Sequence, residues 1–368
     1  MKTKPIRILQ CVSNMDRAGI ETMLMNYYRN ISKNEIQFDF IVNQNKKGDY
    51  AEEIYNMGGR IFVSPGLSPL KWFKYQKFMN DLFKKHPEYK IIHGQNEAMS
   101  FPALYAAKKN NLPVRIAHSH NTKTRFDFKW PVKFLYKALI KKVATKYVAC
   151  SNAAGKYFFN QDVMVINNAI DSKKFLYNKD LRNKMRNKLG VNDKFVLGHV
   201  GRFEIQKNHE FLIEIFKEYV KINQDAILLL IGNGKLQETI KSKVNDYNLN
   251  EKVIFTGNIA NVNEYYQAMD MFLLPSFHEG LPVVGVEAQA SGLTCLFSNK
   301  ITKEVNISNN CVFLDINNPL IWVKEIEKQK NNKRKNMQKV LIQKNYDIDA
   351  ATEVLTNFYK NLSKAGDK

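Results

Sequence analysis

Short apolar runs alternate along the chain with longer stretches whose apolar residues return every three or four positions. In the first half the short runs are IRILQCV (6–12), FDFIVN (38–43), RIFVS (60–64), KIIHG (90–94) and VRIAHS (114–119). Between them ETMLMNYYRNI (21–31) and FPALYAAKKN (101–110) carry helical spacing. A second series opens at KFVLGHVG (194–201) and continues through AILLLIG (226–232), KVIFTG (252–257), MFLLPS (271–276), TCLFS (294–298) and CVFLD (311–315). Helical stretches such as HEFLIEIFKEYVKI (209–222) separate these strands too. Strands alternating with helices imply βαβ units around a parallel sheet. The expected fold class is α/β: two doubly wound, Rossmann-like parallel-sheet domains, 1–170 and 171–345, facing each other across a cleft. The polar segment 167–191 reads as the linker. The tail DIDAATEVLTNFYKNLSK (347–364) has helical periodicity, and a terminal helix over 346–368 could pack back on the first domain. The biased tract KQKNNKRKNMQK (328–339) reads as a solvated helix or loop.

Length agrees with two domains, since 368 residues exceed one ordinary core. No apolar run approaches the ~20 residues needed to span a bilayer. Residues 1–12 start basic but lack an h-region and a cleavage site, so a cytoplasmic protein is expected. Cys11, Cys150, Cys295 and Cys311 are scattered without a CxxC pair and read as reduced core residues. The net charge of +21 is uneven: residues 1–170 hold 27 Lys+Arg against 12 Asp+Glu. Such an excess suits an anionic surface, although a Lys-rich chain can also reflect codon bias. Two segments favour a membrane. Lys71–Lys85, with His86 after it, sets Trp72, Phe73, Phe78, Leu82 and Phe83 among lysines. Arg125–Lys142 does the same with Phe126, Phe128, Trp130, Phe134 and Tyr136. Basic aromatic stretches fit a lipid interface at the inner face of the cell membrane. Surface helices that turn their aromatics to the core would give the same pattern.

Candidate chemistry lies at the strand ends, where doubly wound sheets bind ligands. Gly19 precedes a helix opening at about Ile20 or Glu21, which would let a ligand approach the backbone. In GRFEIQKN, Arg202 and Lys207 follow the second domain's first strand and suit a diphosphate, Arg as a fork and Lys as a point charge. Viewed in isolation, the loop reads first as two solvated cations. Gly232-Asn233-Gly234-Lys235 forms another glycine loop. In FHEGLPVVGVEAQASG, Pro282 is placed as the first residue of a helix, with the amides around Gly280–Val284 ready for an anion. Glu279 just before that helix could merely cap it. Glu287 sits inside an otherwise apolar helix, and ionised glutamates suit pairs of sugar hydroxyls. A ligand with a central diphosphate and a sugar at each end would use all of these groups.

These residues resemble the set found in retaining glycosyltransferases of the GT-B fold, more narrowly the family 4 enzymes that build bacterial capsular and exopolysaccharides. Glu279 and Glu287 match the E-x7-E motif, VGRFEIQKN the phosphate loop, and INNAIDSKKF (166–175) the interdomain segment; the likeness covers nearly the whole chain. It implies that Arg202 and Lys207 hold the donor diphosphate, that Glu287 binds the nucleotide ribose, and that Glu279 contacts the transferred sugar. The amides near Gly280 and Leu281 would hold that end of the donor, and Gly257-Asn258-Ile259 would border the base. Gly19 would bring the acceptor-side loop to the phosphate. Either His118 or His120 corresponds to the donor-sugar histidine, while His93 is expected to be structural. Two departures are Ala18-Gly19 where relatives often show two glycines, and Thr294 where proline is common.

The function implied is transfer of a hexose-type residue from a nucleotide diphosphate sugar, with UDP expected, to a growing glycan or lipid-linked acceptor with retention of configuration. No cofactor or metal is expected: the one D-x-D, Asp347-Ile348-Asp349, lies in the tail, and Arg202, Lys207 and a helix dipole can neutralise the leaving diphosphate. Alternatives are a nucleotide-sugar epimerase or hydrolase on the same fold, or a catalytically silent glycan-binding subunit. Nucleic acid is not an expected partner, because no recognised module accompanies the basic charge.

Overall fold

The computed structural model describes residues 4–16, 19–43, 48–122 and 130–365. Residue contacts divide the chain into Met1–Ala169 with Ile348–Lys368, and Ile170–Asp347. The first unit holds a parallel sheet of β1 (Ile6–Val12), β2 (Ile36–Val42), β3 (Ile61–Val63), β4 (Ile91–Gly94), β5 (Val114–Ser119), β6 (Lys146–Ala149) and β7 (Met164–Val165). Their order is β3-β2-β1-β4-β5-β6-β7. The apolar pattern does not single out β6 and β7, which are short strands at one side of the sheet. β1 is central, its register running from Ile6 opposite Ile36 to Val12 opposite Val42, with Ile8 opposite Ile91 on its other side.

Alternation along β1 sends Ile8 and Val12 to one buried face and Leu9 and Cys11 to the other. The first face is covered by the helix Gly19–Asn30 and by the terminal helix Ile348–Ala365, which lie against each other. Ala351, Leu355, Tyr359 and Leu362 of the terminal helix join the core of Ile8, Phe38 and Phe40. The chain thus returns from the second unit to complete the first. The second face is covered by the helices Trp72–Lys85 and Phe101–Lys109. That packing corrects the membrane reading in part. Leu82 and Phe83 are core residues, Trp72 and Phe78 are half-buried, and among those aromatics Phe73 stands exposed. Arg125, Phe126, Phe128 and Lys129 lie outside the described residues, as does Ala18.

The second unit holds a parallel sheet of β8 (Phe195–Val200), β9 (Ala226–Ile231), β10 (Val253–Phe255), β11 (Met271–Leu274), β12 (Thr294–Ser298) and β13 (Cys311–Leu314). Their order is β10-β9-β8-β11-β12-β13. In each sheet the winding reverses beside the first strand, between β1 and β4 and between β8 and β11. At such a switch point the loops leaving neighbouring strands diverge to opposite faces and open a crevice.

Residues 167–191 are not a linker beyond their first few positions. Asn178 caps a helix, Lys179–Leu189, by accepting the Leu181 amide at 2.8 Å, and Gly190 ends it at φ 68°. This helix packs on the helix Val262–Ala268. Its charge density misleads because its arginines do the packing: Arg182 and Arg186 both reach Asp270. In the tract 328–339, Arg334 likewise turns inward to the carbonyls of Ser291, Tyr266, Gln267 and Met269. All four cysteines are free. No helix among the described residues is long and apolar enough to cross a membrane.

Candidate active site

In the second unit the loops after β8 and β11 are tied together at the switch point. The chain turns sharply after Val200, and Gly201 permits it: a Cβ there would lie 2.9 Å from His199 Nε2 and 3.2 Å from Lys207 Cδ. Lys207 ends a short 3-10 turn, Ile205–Lys207, and its Nζ lies 2.6 Å from Glu279 Oε1. Their side chains are only 16% and 10% exposed. Gln206 Nε2 donates to the His278 carbonyl at 2.8 Å and to Glu279 Oε2 at 3.3 Å. The Phe277 amide donates back to the Gln206 carbonyl at 2.9 Å. Asn208, at φ 55°, closes the turn by donating to the Pro275 carbonyl. Lys207 and Glu279 are therefore held in one place by backbone as well as by charge. Arg202 stands apart with a 70% exposed side chain, 3.1 Å from Glu204.

Pro282 is the cap of the next helix rather than its first residue. It is extended at φ −71°, ψ 111°, and the helix runs Val283–Ala290. The ring fixes φ but leaves ψ open, so the extended form lets its carbonyl accept the Gly285 amide at 3.0 Å. Gly285 fits close against β12 and the turn after it, where a Cβ would lie 3.1 Å from Phe297 and Val305. Leu281 is buried beside Gly280, which is half-buried. Glu287 is half-buried, its Oε2 2.9 Å from the Tyr266 hydroxyl. Burial pushes its carboxyl up to about 7, against the opposing effect of that hydrogen bond. After β10, Gly257 adopts φ 69° and accepts the Gly232 amide at 3.0 Å, followed by exposed Asn258 and half-buried Ile259.

Two histidines beneath this site escaped the sequence reading. His199 donates from Nδ1 to the Leu273 carbonyl at 2.8 Å, while its Nε2 has no hydrogen-bond partner among the described residues. His209 stacks on Phe203 at 4.1 Å. Burial, aided by Lys207, holds His199 down to about 4 and His209 to about 2. Both are neutral at physiological pH and floor the site without adding charge. The one available sequence signal was a histidine at a strand end, in FVLGHVG.

In the first unit Gly19 starts its helix, slightly earlier than expected, and a Cβ there would meet nothing within 4 Å. Hence the chain itself does not demand glycine at this position. His93, His118 and His120 stack, with ring centres 5.2 and 4.0 Å apart. A buried relay runs beside them. His120 Nε2 donates to Gln95 Oε1 at 2.8 Å, Gln95 Nε2 to Gln10 Oε1 at 2.8 Å, and Gln10 Nε2 to the Tyr359 hydroxyl at 3.1 Å. Tyr359 then has its proton for His93 Nδ1, 2.7 Å away. Because glutamine orientation sets every donor, the relay fixes the His120 proton on Nε2. Glu97, at φ 49°, accepts the His120 amide and the Asn121 side chain. His118, inside β5, has both ring nitrogens without a hydrogen-bond partner among the described residues. Burial holds His93 and His120 down to about 3 and His118 well below its usual value, so all three are neutral. Gln10, Gln95, Glu97 and Tyr359 carry no local motif, and only the fold assembles them. Among the described residues no group of three His, Cys, Asp or Glu could hold a metal ion.

Paired Rossmann-like units, with cations and carboxylates at the switch point of the second, define the GT-B class of glycosyltransferases. Residues 181–348 match the family model "Glycosyl transferases group 1", and residues 17–174 match "Glycosyltransferase Family 4". The chain belongs to family 4 of the GT-B glycosyltransferases. It is 32% identical over 382 residues to the putative glycosyltransferase EpsF of Bacillus subtilis, covering 100% of this chain and 99% of that one. It is 26% identical over 330 residues to the UDP-Gal:alpha-D-GlcNAc-diphosphoundecaprenol alpha-1,3-galactosyltransferase of Escherichia coli, covering 85% and 81%. In fold it is similar to Anabaena Alr3699/HepE, solved in complex with UDP-glucose, with a TM-score of 0.75 at 16% identity and 98% of each chain covered.

Proposed function

We propose that this glycosyltransferase moves a hexose-type residue from a UDP-sugar to a growing glycan or lipid-linked acceptor, with retention of configuration, in exopolysaccharide or capsule assembly. The observation that carries the reading is the shielded Lys207–Glu279 pair at the switch point, with Glu287 on the helix that follows. In this reading Lys207 and Arg202 bind the donor diphosphate, Glu287 accepts ribose hydroxyls, and Glu279 orients the transferred sugar. Asn258 and Ile259 border the base, and the Gly280 and Leu281 amides face the donor. Of the two histidines, His120 is the better fit to the donor sugar, because Gln95 and Glu97 orient it at a strand end while His118 lies within the strand. The acceptor hydroxyl attacks C1 on the face that the diphosphate leaves. The C1–O bond to phosphate breaks, the new C1–O bond forms, and the acceptor proton passes to the departing phosphate oxygen. Lys207, Arg202 and the helix N-terminus stabilise that charge, with no metal required in this scheme. The E. coli relative's UDP-Gal donor and alpha-D-GlcNAc-diphosphoundecaprenol acceptor support both ends of the reading.

The test is a thermal-shift screen of nucleotide sugars, then transfer assays with the best donor and NMR of the product anomer. Stabilisation by a UDP-sugar followed by retained-configuration transfer is expected. Conversion of the donor sugar without acceptor would instead identify an epimerase or hydrolase. Stabilisation without transfer to any acceptor would identify a silent subunit.

Glu287 supplies a sharper check. A carboxyl near 7 is mostly protonated at pH 6 and mostly ionised at pH 8, and the ionised form is the better acceptor for two hydroxyls. The Kd of the UDP-sugar should fall about tenfold across that range, because occupancy of the ionised form rises by that factor. Glu287→Gln should bind weakly at every pH without the step. The sign for folding is opposite. A raised carboxyl contributes most stability below its unfolded value and loses it as pH rises through about 7, so affinity must be read by calorimetry rather than from Tm. A flat wild-type profile would remove Glu287 from the ribose.

A further inference from the structure

Polar side chains from four parts of the first unit join in one chain of hydrogen bonds that ends at His120. Gln10 stands on β1, His93 lies within β4, Gln95 follows β4, and Tyr359 comes from the terminal helix. All four are at most 1% exposed, so water cannot replace a missing partner. A carboxamide has one accepting and one donating end. Gln10 and Gln95 therefore cannot turn separately, because reversing either alone sets oxygen against oxygen or N–H against N–H. Tyr359 holds the far end. Its hydroxyl accepts from Gln10 at 3.1 Å and lies 2.7 Å from His93 Nδ1, to which it gives its proton. Its ring is fixed edge-on between Phe38 at 5.9 Å and His93 at 6.0 Å.

The other end of the chain reaches the surface. His120 is 8% exposed, its amide is held by Glu97 at 3.2 Å, and its ring stacks on His118 at 4.0 Å. Nε2 donates to Gln95 at 2.8 Å and burial keeps the ring neutral, so Nδ1 carries a lone pair and no proton. Among the described residues nothing donates to that nitrogen. A bare acceptor at the rim of a site needs a donor from the ligand. A sugar hydroxyl supplies one. A methylene, a fluorine or a carboxylate at the same carbon does not, and the carboxylate would set lone pairs against a lone pair. We propose that Tyr359 and Gln10 are positioning residues for the transferred sugar: through Gln95 they hold His120 Nδ1 as an acceptor only, so the enzyme selects a donor sugar with a free hydroxyl at the carbon facing His120. The role rests on the reading in which His120 meets the donor sugar. Neither Tyr359 nor Gln10 touches that sugar, and their effect passes through the tautomer of His120.

Nitrogen-15 NMR of the full chain labelled in histidine reads the tautomer directly, with His120→Gln to assign the signal. Wild type should carry the His120 proton on Nε2. Tyr359→Phe leaves Gln10 Nε2 without an acceptor, so both glutamines turn over in part and the His120 proton divides between the two nitrogens. Calorimetry then compares UDP-glucose and UDP-galactose with the monodeoxy and monodeoxyfluoro analogues, at each sugar carbon bearing a free hydroxyl, of whichever binds. In wild type one carbon should lose about tenfold or more in affinity, with fluorine no better than hydrogen there. In Tyr359→Phe the parent should bind about fivefold more weakly and the loss at that carbon should shrink to about twofold, while losses at the other carbons stay as they were. A general loosening of the fold would instead weaken every contact alike. Gln10→Met breaks the chain from another element and should act as Tyr359→Phe does, so it serves if that variant does not fold. A wild-type proton on Nδ1, a fluorine that restores the hydroxyl's affinity, or a chain-breaking variant that keeps the full loss at the same carbon would overturn the proposal and leave UDP-sugar transfer standing. Wild type that binds neither UDP-hexose would remove this role and the reading of the donor site together.

Discussion

Lys207→Ala should lower kcat by a factor of about 10² to 10³, the range seen when one preorganised group is removed from a developing oxyanion. Charge on the leaving diphosphate grows as the C1–O bond breaks, so a cation beside it acts more on turnover than on binding. Lys207 is suited to that role because it is shielded and fixed: its side chain is 16% exposed, its turn is closed by Asn208, and its Nζ sits 2.6 Å from Glu279. Arg202, with a 70% exposed side chain, is screened by water and should cost less when replaced. The Lys207→Ala variant has a second defect. It leaves the poorly exposed Glu279 carboxylate beside an incoming diphosphate without its cation. Glu279→Gln in the Lys207→Ala background should therefore recover part of the loss, giving a non-additive double-mutant cycle. Steady-state kinetics at saturating donor decide the matter. Wild-type kcat in Lys207→Ala would take Lys207 away from the reacting phosphate, and strict additivity would uncouple it from Glu279.

The strands and the loops at their ends were legible because apolar runs and glycine-started loops are local signals. Eleven of the strands follow runs read directly from the chain, and Arg202, Lys207, Glu279 and Glu287 stand on the loops and helix so marked. What stayed hidden is what distant segments make together. Charge density in 167–191 and 328–339 normally signals solvent, yet Arg182, Arg186 and Arg334 spend their donors on carbonyls and Asp270. The His120 relay joins residues from β1, the loop after β4, and the terminal helix, which no spacing links. Composition marked the two basic aromatic stretches but not which side of each faces out, because lysines and rings are interleaved along both.

Asp270→Ala should destabilise the second unit by about 3–5 kcal/mol, the cost of leaving buried charge uncompensated. Asp270 precedes β11 and accepts from the Val196 amide at 2.8 Å, Arg182 Nη2 at 2.5 Å and Arg186 Nη1 at 3.1 Å. The same arginines also donate to carbonyls ending the helix Val262–Ala268: Arg182 to Gln267 at 2.9 Å, Arg186 to Ala268 at 2.8 Å. Arg334 reaches Gln267 as well, at 2.9 Å, and burial with Arg182 nearby pushes its guanidinium down to about 9. Three cations thus crowd one helix C-terminus, whose dipole and carbonyls attract them while Asp270 supplies the full opposing charge. Removing it leaves repulsion that carbonyls alone must absorb. Asp270→Asn keeps a neutral acceptor for Val196 and should cost less than alanine. The effect should extend to the donor site, because this helix carries Tyr266, whose hydroxyl holds Glu287, and β11 leads into Glu279. Chemical denaturation and UDP-sugar titration of the two variants separate the outcomes. A loss under about 1 kcal/mol, the scale of an exposed ion pair, would mean that the helix end alone compensates the arginines. A loss of stability with unchanged donor affinity would mean that the arginine cluster holds the fold without tuning the site.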